Sequence, residues 1–161
     1  MKRVPFKILC LVLLVSVLLC SCEGKTEYCE IGIVLPDGYK ELEGESSFDR
    51  VYANGTDAVG IFRVSFEAAI DDGVPTTLSA KRFAEYYLEQ SGLVTVVEQT
   101  DNIPYFVYVE EQDGQKYMHV PTFYRTPYAY FIITFTSAGG RDEGKLGQFL
   151  EIASTVYLIN V

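Results

Sequence analysis

The pattern of apolar positions divides this chain into two unlike parts. From Ile8 to Leu19 every residue is apolar except Ser16. Beyond residue 28 the apolar positions recur with periods of two or of three to four, the signatures of strands and helices. Ile31, Ile33 and Leu35 alternate with Gly32 and Val34 until Pro36-Asp37-Gly38 turns the chain, which predicts a short first strand. Arg50–Ala53 and Gly60–Ala68 flank Asn54-Gly55 and read as a hairpin with a longer connection than two residues. In its second strand Phe62, Val64, Phe66 and Ala68 share one face, and Arg63, Ser65 and Glu67 the other. That predicts a strand packed on one side and more polar on the other.

The period then changes. Thr76 or Thr77 is a plausible N-cap for a helix reaching about Gln90, with Gly92 just past its end. Ala80, Phe83, Ala84, Tyr87, Leu88 and Ser91 fall on one face of it, while Lys81, Arg82, Glu85 and Glu89 lie off that face. Leu93–Gln99, Tyr105–Glu111, Lys116–Tyr124 and Tyr128–Ser137 follow as strands, the middle two joined at Asp113-Gly114. Pro121 cannot donate to a ladder, so its strand is expected at an edge or bulged there. Residues from about Asp142 to Thr155 form a second helix, with Leu146, Phe149, Leu150, Ala153 and Tyr157 as its buried stripe. The expectation is a single α+β domain over residues 28–161. It has one antiparallel sheet of about six or seven strands packed with two amphipathic helices.

This order of elements, the opening IGIVLPDGY and the closing STVYLI resemble the PsbP-like fold over roughly residues 28–159. Its namesake is an extrinsic protein of photosystem II. Bacterial lipoproteins, secretion chaperones and a nuclear-import factor that binds the GTPase Ran share it. The resemblance implies an α/β/α sandwich and a protein-interaction scaffold more than an enzyme. It transfers no functional residue, because fold does not fix function.

The N-terminal part reads differently. Lys2, Arg3 and Lys7 precede the apolar run, and no acid occurs before Glu23. A basic start and a run of about 12 apolar residues fit an export signal, and the run is short for a permanent span of about 20. Leu19-Cys20-Ser21-Cys22 resembles the lipobox of bacterial lipoproteins. The resemblance implies cleavage before Cys22, whose thiol takes a diacylglyceryl group. Cys20 is the rival site, but it would place bulky Leu19 at the cut, where the family prefers a small residue. Residues 1–21 are then a signal peptide and 22–27 a short tether. The domain is exported and anchored by acylated Cys22 to the bacterial cell membrane or outer membrane.

Composition narrows the partners. The chain has 13 basic and 22 acidic side chains, and removal of residues 1–21 takes three basic residues and no acid, leaving about −12. Nucleic acid is excluded as a partner on that balance, since phosphate contacts need clustered cations. The charge reads as a solubilising surface or as attraction to a cationic partner. Cys29 is left without an internal disulfide partner and reads as a small buried residue.

Candidate chemistry is sparse, and no cofactor or metal is expected. His119 is the only histidine, with no HxxH, HExxH or CxxC spacing and no GxSxG around any serine. It reads as a packed strand residue. Asp71-Asp72 and Glu110-Glu111 are adjacent pairs, and neighbours in a strand point to opposite faces. The glycines of AGGRDEGKLG precede a helix, but the acids beside them read as caps. Aromatics are abundant, with 12 Tyr and 10 Phe, and densest in VPTFYRTPYAYF at 120–131. Their bland reading is core packing. The sharper one is a partner surface built around Tyr124, Arg125 and Tyr128, which flank a turn.

The function expected is a non-enzymatic interaction or ligand-binding module. The alternative is a carboxylate-dependent cell-envelope hydrolase. Replacing Cys22 with Ala is expected to abolish fatty-acid labelling of the chain. Labelling that survives this change but disappears on replacing Cys20 moves the site.

Overall fold

The structure, a computed structural model, describes residues 29–44 and 46–160. The lipobox, Cys22 and the tether lie outside these residues, as does the Cys29 side chain. Among the described residues there are ten strands and three helices. In chain order they are β1 (Cys29–Gly32), β2 (Lys40–Glu41), β3 (Arg50–Ala53), β4 (Asp57–Ser65), α1 (Phe66–Asp71), α2 (Ala80–Ser91), β5 (Glu98–Thr100), β6 (Ile103–Tyr105), β7 (Tyr108–Gln112), β8 (Gln115–Arg125), β9 (Ala129–Ala138), α3 (Glu143–Ala153) and β10 (Tyr157–Asn160).

Eight strands form one sheet in the order β2-β3-β4-β9-β8-β6-β5, with β7 also paired to β8. Every pairing is antiparallel. β1 and β10 make a separate two-stranded ribbon. The α+β class therefore holds, with more strands, a second small sheet and one more helix than the sequence pattern indicates.

Side-chain alternation sends the three central strands into two cores. Val59, Ile61, Met118, Val120, Phe131, Ile133 and Phe135 pack with Leu146 and Phe149 of α3 and with Ile31 of the ribbon. Val64, Phe123, Tyr130 and Ile132 pack on the opposite face with Ala69 of α1 and with Phe83 and Ala84 of α2. β4 is thus covered on both faces, not on one as its sequence suggests. The second core is largely aromatic: Phe83 stacks on Tyr130 at 4.1 Å between ring centroids and meets Phe123 edge-on at 6.0 Å. Such pairs add about 0.5–1.5 kcal/mol beyond the burial itself. The Tyr130 hydroxyl donates to Pro75 O (2.9 Å) and Leu78 O (3.1 Å), so its burial leaves no donor unpaired.

Several expectations change for local reasons. β4 stops at Ser65, whose hydroxyl accepts from Ala68 N–H at 3.1 Å and starts α1, so Phe66 and Ala68 are helical. α2 is capped by Ser79 rather than Thr76 or Thr77. The strand expected at Tyr105–Glu111 is split into β6 and β7. Pro121 lies inside the sheet, on β8, and its carbonyl accepts from Phe106 N–H at 3.4 Å. In an antiparallel strand a residue's N–H and C=O point the same way. The donor that proline lacks is therefore missing at the break between β6 and β7. α3 ends at Ala153, and Tyr157 belongs to β10, because the Thr155 hydroxyl ties the chain to Val34 at its N–H (3.0 Å) and C=O (3.2 Å). The hairpin at 113–114 is as expected, with φ of +52° and +78° at Asp113 and Gly114.

Two polar clusters stiffen the frame. At one end of β4 the Asp57 carboxylate, 5% exposed, accepts from Lys145 Nζ of α3 at 3.0 Å. Asp57 N–H in turn donates to Asn54 Oδ1 at 2.8 Å. On the α2 face His119 stacks under Tyr108 at 4.7 Å, with Nδ1 at 3.0 Å from Thr136 Oγ1 and Nε2 at 3.8 Å from Glu110. Burial holds the imidazole below its ordinary pKa, and the Glu110 carboxylate opposes that shift.

Lys145→Met is expected to destabilise the domain by about 2–3 kcal/mol, because it strands a buried carboxylate. The value lies below the roughly 3–5 kcal/mol of fully buried pairs because Lys145 keeps 30% exposure. Adding Asp57→Asn should recover part of the loss in denaturant titrations, and an unchanged midpoint in the single variant contradicts the role of the pair. For His119 the unfolded chain is the better proton acceptor. Its neutral form therefore contributes stability above about pH 6.5, lost as pH falls through the lowered folded value. His119→Gln is expected to flatten that part of the stability–pH curve, and a slope as steep as the parent's refutes this.

Candidate functional site

Among the described residues the most exposed large apolar side chain, Val94, follows shortly after α2. Ser79 starts that helix by accepting from Arg82 N–H at 3.3 Å, and Gly92 ends it in the left-handed conformation at φ +67°. The reversal is held by Ser91, whose hydroxyl donates to Leu88 O (2.8 Å) and accepts from Leu93 N–H (3.3 Å). Residues 93–97 then run beside the helix without strand pairing, although their sequence suggests a strand. The Thr95 hydroxyl pins them by donating to Val107 O at 3.1 Å, near the break between β6 and β7.

Alternation along this segment divides its side chains. Leu93 and Val97 pack against the aromatic core. Val94 and Val96 point outward and are 103% and 66% exposed. Between the segment and α2 lies an open groove of about 440 Å³. Leu88, Leu93 and Val97 form its apolar floor, Val96 its lip, and Lys81, Glu85 and Glu89 its charged rim. Glu85 is bridged to Arg82 at 2.9 Å. The arrangement offers a short apolar trough edged by charge, suited to holding an apolar side chain of a partner. It does not converge proton donors or ligands on a point. Among the described residues no group of three or more His, Cys, Asp or Glu is placed to hold a metal ion.

The structure separates the three aromatic-stretch candidates. Tyr124 is half-buried against the α3 core and donates its hydroxyl to Ala153 O at 2.9 Å. Burial pushes its pKa well above the ordinary tyrosine value. Arg125, the next residue on β8, leaves on the opposite face. Its guanidinium lies over the Phe66 ring at 5.3 Å and donates to Thr76 O at 3.2 Å, clamping the chain that leads into α2. Tyr128 is 47% exposed at the turn. That turn is built by buried Thr126, whose hydroxyl accepts from the N–H groups of Tyr128 (3.2 Å) and Ala129 (3.0 Å). The exposed valines beside the groove, Val94 and Val96, carry no such distinguishing signal in the sequence, since alternation is the same whether a segment pairs or not.

No protein-family model matches this chain, and no curated protein does. Among solved structures, a protein from Bacteroides thetaiotaomicron VPI-5482 is similar at a TM-score of 0.54 and 13% identity over 80% of this chain. The chain spans 45% of that protein's length. LpqN, involved in cell envelope biogenesis of Mycobacterium tuberculosis, has a TM-score of 0.48 and 8% identity over 84% of this chain and 87% of its own. The cyanobacterial PsbP of Synechocystis sp. PCC 6803 has a TM-score of 0.39 and 14% identity over 88% and 99%. At these identities the likeness speaks to the α+β fold alone.

Proposed function

We propose that this chain is a bilayer-anchored, non-enzymatic binding module, exported and held by a lipid on Cys22. Its docking site is the groove between α2 and residues 93–97. The observation that carries the reading is the pair Val94 and Val96, held out of the core beside an apolar trough. Burying a valine side chain is favourable by about 1.5–3 kcal/mol. The segment that displays the two valines is anchored at its start by Ser91 and at its centre by Thr95, so little order has to be gained on binding. The strongly acidic balance of the mature chain favours a partner with apolar side chains flanked by positive charge.

The test places a photo-reactive amino acid at Val94 in the membrane-anchored chain, with a second variant at Val109, another exposed valine, as control. A discrete adduct is expected at position 94 and not at 109. Val96→Asp should reduce it at least tenfold while moving the thermal midpoint by no more than about 2 °C, as befits a surface change. Equal adducts at both positions, or an adduct indifferent to Val96→Asp, overturn the reading.

A further inference from the structure

The β1–β10 ribbon carries a second group of exposed apolar side chains, on the other side of the molecule from the groove. β1 and β10 pair from Cys29↔Asn160 to Gly32↔Tyr157, and β10 has no further strand neighbour among the described residues. Tyr157 lies flat across Gly32: a Cβ there would come within 2.3 Å of the ring. Alternation puts Glu30 and Gly32 on the outer side of β1, and Val34, two residues further on, is held opposite Thr155 through its own N–H and C=O. Val34 is 60% exposed and Tyr157 54%, while Leu158, paired with Ile31, lies on the ribbon's other face. Glu30, the acid on this side, is neutralised by Arg50 at 3.3 Å.

The covalent tether decides what covers this surface. Cys22 and Cys29 are seven residues apart, which spans at most about 25 Å when extended. A folded domain of about 130 residues has a radius of gyration of about 14 Å, or roughly 36 Å across. The tether is therefore shorter than the domain, and the start of β1 cannot lie on the side away from the lipid. Ile31 of the ribbon packs in the core on the α3 face of the sheet, whereas Leu88, Leu93 and Val97 pack on the α2 face.

We propose that the outer face of the β1–β10 ribbon rests on the bilayer interface, with Tyr157 and Val34 at headgroup level and the α2 groove turned away. This rests on the lipid at Cys22. Tyrosine is favoured at that depth, where its ring meets acyl chains and its hydroxyl meets water. The acidic balance of the chain makes phosphatidylcholine, zwitterionic and of zero net charge, the appropriate surface.

The chain contains no tryptophan, so a single introduced indole reports depth without background. Full-length chain isolated from membranes is reconstituted into phosphatidylcholine vesicles with and without brominated phosphatidylcholine. Tyr157→Trp is expected to lose at least half its fluorescence to the brominated lipid, and Val94→Trp to lose almost none. Val34→Trp serves as a second reporter if Tyr157→Trp does not fold. Floated protein whose indole at 157 or 34 is unquenched, or is quenched no more than at 94, overturns the orientation. Flotation reads the anchor separately. If the parent chain fails to float, or Cys22→Ala floats equally well, the lipid assignment fails and this proposal falls with it.

Discussion

The frame depends on one constraint, the burial of β9 on both faces. Tyr130 and Ile132 project to one side, and Phe131, Ile133 and Phe135 to the other, none more than 3% exposed. A strand this apolar cannot face water on either side, so each face must be covered by its own layer. α1 and α2 supply one layer, and α3 with the ribbon supplies the other. Tyr130 adds direction to what would otherwise be only a requirement for apolar cover. Its buried hydroxyl must find acceptors, and the two carbonyls it finds, Pro75 and Leu78, belong to the segment that leads into α2. One hydroxyl thus places the helix that later forms a wall of the groove.

The same dependence runs through Arg125. It stacks on Phe66 of α1 and bonds Thr76 O, so the turn end of β8 and the entry to α2 are held by two independent contacts. An arginine beside a tyrosine at a turn has the composition of a partner surface. Here its fork is occupied by the chain's own backbone, and the tyrosine beside it is bonded to the end of α3. Composition alone carries the interface signature, but strand alternation sends consecutive residues to opposite layers, and the layers take them.

Much of the frame is legible in the sequence because its cues are local. The α2 stripe, the Asp113-Gly114 hairpin and the strand character of residues 116–124 and 128–137 come from periodicity and turn chemistry within a few residues. What is not legible depends on distant partners. Phe66 and Ala68 continue a period of two past Ser65, and only the cap at Ser65 shows that the strand has ended. Tyr157 continues the i+4 stripe from Ala153, yet Val34, far away in sequence, captures Thr155 and opens a strand instead. Residues 93–97 alternate like a strand, but the place beside β6 goes to β5, and the segment is left against α2. The groove arises from that unpaired segment, and so it has no sequence motif of its own.

The two exposed apolar groups differ in the support beneath them. Val94 and Val96 stand on a segment held by side-chain hydrogen bonds from Ser91 and Thr95 over an aromatic core. Tyr157 stands on a ribbon of only two strands, secured by Ile31 and by the Thr155 link to Val34. A rigidly displayed group over a concave floor suits recognition of a particular shape, because the entropy of ordering it has already been lost on folding. A ring lying on a thin ribbon suits a surface without fixed shape, such as a lipid interface. The central sheet keeps the two apart, with the ribbon in the α3 layer and the groove in the α2 layer. On the proposed reading, a domain tethered through β1 does not have to choose between its anchor and its ligand. The sheet that β9 obliges to be covered twice supplies one layer for each.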